Sequence, residues 1–210
     1  KCLNVEDNFY IMKDFYDFLG EICERDEEYL MKIIDQNLIV NGMKFLVDYK
    51  KNQVNHFNDP FSCHHHQVVS KYDEENKKIE NILILFMKRI TQPDAISNDD
   101  KIKISFGLSS YLKAKIDFLT ITRNYEESVK LKIELYCKNT KPTKDDKMAL
   151  FEWIDDSFTN AKNNPSDLAL LSRQIINNAV EICKISFTRF VALCEKWLRN
   201  HANELSEKLD

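Results

Sequence analysis

Apolar residues recur every three or four positions through most of this chain, the spacing that lines one face of an α-helix. The pattern is strongest towards the end. One stripe there runs Leu168, Leu171, Ile175, Ala179, Ile182, Ser186, Phe190, Leu193 and Trp197. A second runs Ile176, Val180, Cys183, Phe187, Val191, Cys194, Leu198 and Leu205. Asn164 can accept a free N–H of a first helical turn, Pro165 suits the first helical position, and Asp167 suits the positive end of the helix dipole. Neither Gly nor Pro follows Pro165. These features predict one helix from Asn164 to about Leu209, roughly 65 Å long if continuous. Two stripes make a wider apolar face than a surface helix needs, which predicts neighbours on at least two sides.

Upstream, a helical pattern runs from about Asn8 to Asn52, with Phe9, Met12, Phe15, Leu19, Ile22, Tyr29, Ile33 and Phe45 on its stripe. Gly20 reads as a close-packing point, and Gly42, after Asn41, as a break. Residues 53–65, with Asn58-Asp59-Pro60, read as a loop. A helix fits 67–91, with Val69, Tyr72, Ile79, Ile82, Leu83, Phe86 and Ile90 inward, and Gln92-Pro93-Asp94 ends it. Ser97-Asn98-Asp99-Asp100 looks like the next helix start.

Residues 101–138 support two readings. Ile102, Phe106, Ser109, Leu112, Ile116 and Leu119 keep helical spacing, whereas Lys101-Ile102-Lys103-Ile104 and Lys130-Leu131-Lys132-Ile133-Glu134-Leu135 alternate with period two, as in a strand. The lack of turn residues between Ser110 and Arg123 favours helix. Thr143 and Asp146 resemble a capping arrangement opening a short helix with Met148, Phe151, Trp153, Ile154 and Phe158. The fold expected is all-α: an elongated bundle of about five helices in a single domain, 1–210. The alternative is α+β with a small antiparallel sheet within 101–138.

Composition sharpens this. Three Gly and four Pro in 210 residues disfavour sheets with many turns. They also disfavour phosphate-cradling loops, whose Gly positions have no substitute. A net charge of −4 lacks the basic footprint of a nucleic-acid binder. The longest apolar run, Ile82 to Met87, is far short of the ~20 residues of a membrane span.

The six cysteines, Cys2, Cys23, Cys63, Cys137, Cys183 and Cys194, lack zinc-finger spacing. They read as disulfide candidates in a secreted, extracellular protein, with buried thiols of a cytosolic protein as the other choice. A chain beginning at Lys1 without Met fits a mature product or a trimmed piece. On one helix, Cys183 and Cys194 would stand about 16 Å apart, out of disulfide reach. Each would then bond a different element. The absence of an N-glycosylation sequon, Asn164-Pro165-Ser166 being excluded by its Pro, sits oddly with secretion in a eukaryote.

Candidate chemistry is sparse. His56, Cys63, His64, His65 and His66 cluster around the 53–65 loop, but adjacent histidines cannot all face one metal, so no metal and no cofactor is expected. Carboxylates such as Asp26-Glu27-Glu28 and Asp73-Glu74-Glu75 read as solvated helix faces. Ser109-Ser110 lacks the Gly-framed elbow of hydrolases. The expectation is a non-enzymatic protein that binds a protein or a small ligand, with no nucleic acid as partner and a membrane surface ranked second. Tyr10, Tyr16 and Phe18 lie off the first helix's main stripe and are the candidate partner contacts.

Two resemblances bear on this. In helix content, compositional bias and cysteine usage the chain resembles the fast-diverging helical proteins that parasites and blood-feeding arthropods secrete into hosts, such as insect salivary proteins. That likeness implies an effector that engages a host molecule, though no motif carries it. Phe18-Leu19, Glu21, Arg25 and Glu28-Tyr29-Leu30 resemble the opening helix of F-BAR domains. This implies, as the alternative, a membrane-surface or scaffolding bundle. The net acidity and the six cysteines depart from that family's basic concave face.

Overall fold

The computed structural model describes the backbone of residues 5–25, 34–57, 65–137 and 143–207, and side chains within 10–25, 34–49, 73–136, 143–145 and 147–199. Its regular structure among the described residues is helical throughout. The α-helices are α1 (Val5–Arg25), α2 (Gln36–Phe57), α3 (His65–Lys88), α4 (Asn98–Gly107), α5 (Leu112–Ile121), α6 (Tyr125–Cys137), α7 (Lys144–Ala161), α8 (Pro165–Asn177) and α9 (Ala179–Glu207). Two short 3₁₀ turns, Pro93–Ala95 and Leu108–Ser110, flank α4.

Among the described residues, the ambiguous stretch 101–138 therefore forms three α-helical pieces joined by short turns. Ser97 caps α4, accepting from the Asp100 N–H at 3.1 Å. The period-two alternation of Lys and Ile lies on helices whose other neighbours complete the core. Ile104 and Ile133 are buried, while Ile102 is exposed. No side chain of its own segment caps α5. Glu80 of α3 does so instead, accepting from the N–H groups of Lys113 (3.0 Å) and Ala114 (3.4 Å).

The chain divides into two compact units, Lys1–Thr122 and Arg123–Asp210. No composition shift marks the boundary. It falls where Arg123 takes a left-handed conformation (φ 64°), which few residues other than Gly adopt.

In the first unit, α1, α2, α3, α4 and α5 pack around Met43, Leu46, Leu83, Phe86, Ile104 and Leu108, all fully buried. The two glycines of the first helical pattern are both close-packing points. A Cβ on Gly20 would lie 2.9 Å from Ile82, and one on Gly42 would lie 2.7 Å from the Phe86 ring and 2.9 Å from Tyr16. Gly42 sits well inside α2 rather than at a break. Asp35 opens α2, its side chain accepting from the Asn37 N–H at 3.1 Å.

The inward face of α1 differs from the stripe read off its sequence. Tyr16, Leu19, Gly20 and Cys23 point inward, and Met12 and Phe15 are exposed. Lys13 shares the buried face. Its ammonium donates to Asp17 (2.6 Å) and lies 5.5 Å from the Tyr49 ring centre. Lys78 of α3 donates to the other Asp17 oxygen at 2.7 Å. A buried ammonium is tolerable only when paired in this way.

The second unit packs α6, α7, α8 and α9 around Val129, Leu150, Ile154, Leu171, Ile175 and Ile182. Asn164 caps α8 as expected, accepting from the N–H groups of Ser166 (3.1 Å) and Asp167 (3.4 Å), with Pro165 first in the helix. Continuity fails downstream. Helix α8 ends at Asn178, whose side chain donates to the Gln174 carbonyl at 2.8 Å. Ser186 then breaks α9 with extended backbone angles (φ −162°, ψ 100°). The single long helix is thus three helical pieces: Asn and Ser offer the backbone local alternatives to the helical ladder.

Candidate functional site

Only one of the two C-terminal stripes is covered. Leu171, Ile175, Ile182 and Leu193 are buried and Leu168, Phe190 and Trp197 are half-buried against the same core. In the second stripe Ile176, Phe187 and Leu198 are about 70% exposed (70%, 67% and 71%), and Val180 and Val191 are exposed as well. Among the described residues nothing lies over this side.

Where the two stripes meet, a partly open cavity of roughly 490 Å³ enters the second unit. Helix α7 and the turn after it contribute Asp155, Phe158, Thr159 and Lys162. Helix α8 contributes Leu168, Ser172, Ile175 and Ile176, and α9 beyond its break contributes Phe190, Cys194, Lys196, Trp197 and Leu198. Its size falls in the range of about 300–1,000 Å³ usual for small-molecule sites, which pair an apolar lining with a few polar groups.

The polar groups are unequal. Lys196 donates to Asp155 at 2.5 Å, so these two charges answer each other across α7 and α9. Thr159 donates to the Asp155 backbone carbonyl at 2.9 Å. The Trp197 ring lies against Phe158, with centroids 3.5 Å apart. Its indole Nε1–H is buried and has no hydrogen-bond partner among the described residues. A buried donor left unmade costs about 1–3 kcal/mol. Burial pushes the Cys194 thiol up, and nearby Cys183 adds to the effect.

The separation expected for Cys183 and Cys194 assumed one continuous helix, and the break at Ser186 lies between them. Cys23, Cys183 and Cys194 are free thiols, so the expected stapling of the last helix is absent from these residues. Cys2 and Cys63, together with the side chain of Cys137, lie outside the described residues, as do the side chains of His56, His64, His65 and His66. Among the described residues no cluster could hold a metal ion, and no helix is long and apolar enough to cross a membrane.

Of the candidate partner contacts, Tyr10 and Phe18 are exposed, at 63% and 59%. Tyr16 is not available: it is buried against Phe45, 5.2 Å between ring centres, and burial raises its phenol pKa above the ordinary range. Of the segment resembling F-BAR domains, Glu28-Tyr29-Leu30 falls outside the described residues, and Leu19 is a core residue of the first unit. The cavity itself escaped the sequence reading. Its lining comes from three helices, and its one early sign was a Trp and a Cys on adjoining stripes. Compared with known proteins, the chain matches no family model, no curated protein and no solved structure.

Proposed function

We propose that the protein acts by binding rather than by catalysis, and that its second unit takes up a small, mainly apolar ligand in the cavity between α7, α8 and α9. The observation that carries this reading is the cavity itself, apolar in most of its lining, with Trp197, whose buried indole N–H has no partner among the described residues, as one of its lining residues. Exposed Ile176 and Leu198 also line it and extend its apolar surface outward. An apolar solute gains about 25 cal/mol for each Å² it removes from water. The charged groups present are a mutually paired Asp155 and Lys196 and a single further Lys162, which suits orienting a ligand better than moving protons.

A neutral apolar fluorophore, N-phenyl-1-naphthylamine, tests this. Saturable binding at one site per chain is expected, together with protection of Cys194 from maleimide labelling. Ser172→Phe, which fills the cavity, should abolish both while leaving the helical circular dichroism intact. Absence of saturable binding, or binding indifferent to Ser172→Phe, would overturn the reading.

A further inference from the structure

The charges around the cavity do not cancel, and this bears on which ligand it would take. The inference below rests on the cavity being a binding site. The lining holds two ammonium groups and one carboxylate. Asp155 is spent on Lys196 at 2.5 Å. Lys162, in the turn that follows α7, has no ion-pair partner among the described residues. The cavity therefore carries one uncompensated positive charge. Trp197 lines the cavity, its buried N–H has no acceptor among the described residues, and indole can only donate. Both open positions ask for an electron-rich oxygen, and neither can serve a cation. The remaining surface, from Phe158, Leu168, Ile175 and Phe190, asks for hydrocarbon.

We propose that the ligand is an amphipathic anion, a carboxylate on an apolar body, with Lys162 attracting the carboxylate and the Trp197 N–H donating to an oxygen of the ligand. A neutral alcohol of the same length keeps the hydrocarbon contacts and can accept from the indole, but loses the attraction to Lys162. An alkylammonium loses both and meets Lys162 as a like charge. Lys162 thus sets the preference among head groups, and Trp197 serves any ligand with an acceptor.

Displacement of N-phenyl-1-naphthylamine by decanoate, decanol and decyltrimethylammonium, each below its micelle concentration, tests the assignment. Decanoate should displace the fluorophore at roughly five- to tenfold lower concentration than decanol, as a partly solvated ion pair allows, and the ammonium should be weakest. Lys162→Gln should erase the gap between decanoate and decanol while leaving decanol unchanged. Trp197→Phe, which keeps a ring and removes the N–H, should weaken decanoate and decanol alike by about fivefold. Equal displacement by all three, preference for the ammonium, or a carboxylate preference that survives Lys162→Gln would each overturn the anion assignment and leave the cavity reading standing. Failure of the fluorophore to bind at all would remove both.

Discussion

Gly107 leaves the least room for a Cβ of the three glycines, and replacing it by Ala sets two effects against each other. Gly inside a helix costs about 1 kcal/mol relative to Ala, so propensity alone makes Gly107→Ala stabilising. Packing opposes it. The new Cβ would lie 2.5 Å from Val47 Cβ and 2.6 Å from Val47 Cγ2. Carbon atoms rest about 3.5–4.0 Å apart, so α2 and α4 would have to separate by roughly 1 Å. Val47 cannot turn aside, because the closest atom is bonded directly to its backbone and its χ1 is stiff in a helix. Fully buried Ile104 and Leu108 flank the site, so the separation would loosen a close-packed region. Overpacking of this kind costs about 1–3 kcal/mol, and with clash against a near-backbone atom the upper end applies.

The net expectation is destabilisation by about 1–2 kcal/mol, or a five- to thirtyfold change in the opening equilibrium. Amide hydrogen exchange, read by mass spectrometry on peptides from α2 and α4, reports that change directly. Gly42→Ala should cost less, since its nearest atom is a Phe86 ring carbon at 2.7 Å, and Gly20→Ala least, with Ile82 Cγ1 at 2.9 Å. Protection that stays level or rises in Gly107→Ala would show that α2 and α4 do not approach as closely as described.

Two further predictions concern protons and thiols. The hydrogen bond from Lys44 holds the Asp100 carboxyl below its ordinary value of 3.8, with the Ser97 hydroxyl adding to the effect. A lowered folded pKa means that this stabilisation is present above about pH 4 and lost as the pH falls through the folded value. Asp100→Asn should cost about 0.2–1 kcal/mol at neutral pH and flatten the acid limb of urea-denaturation midpoints against pH. An acid limb unchanged in the variant would rule the pair out as a contributor. For the thiols, alkylation in denaturant without reductant should label Cys23, Cys183 and Cys194. In the native protein Cys23 should react slowest, since it is buried and burial raises its pKa. Labelling of these three only after reduction would restore the disulfide reading and, with it, the case for an oxidising compartment.

Local signals in the sequence were readable where their physics is local. Asn164-Pro165 and Ser97-Asn98-Asp99-Asp100 start helices because a cap needs only its own neighbouring N–H groups. The scarcity of Gly and Pro favoured helix without excluding a sheet where Lys130 to Leu135 alternates, and those residues lie within one helix. The first C-terminal stripe was read as core, and it is core.

What the sequence alone determined is that this chain is helical, where several of its helices begin, and which of its residues have oil to bury. Tertiary structure decided which of those residues are covered. The face of α1 is set by close approach at Gly20 and Gly42 and by a paired Lys13, which no periodicity reveals. The break at Ser186 comes from backbone angles that helix propensity does not forecast, and the second stripe is apolar yet bare. The cavity exists because three helices leave a gap where two stripes meet. Caps and periods are properties of neighbours in sequence, whereas coverage and cavities belong to elements that meet only after the chain has folded.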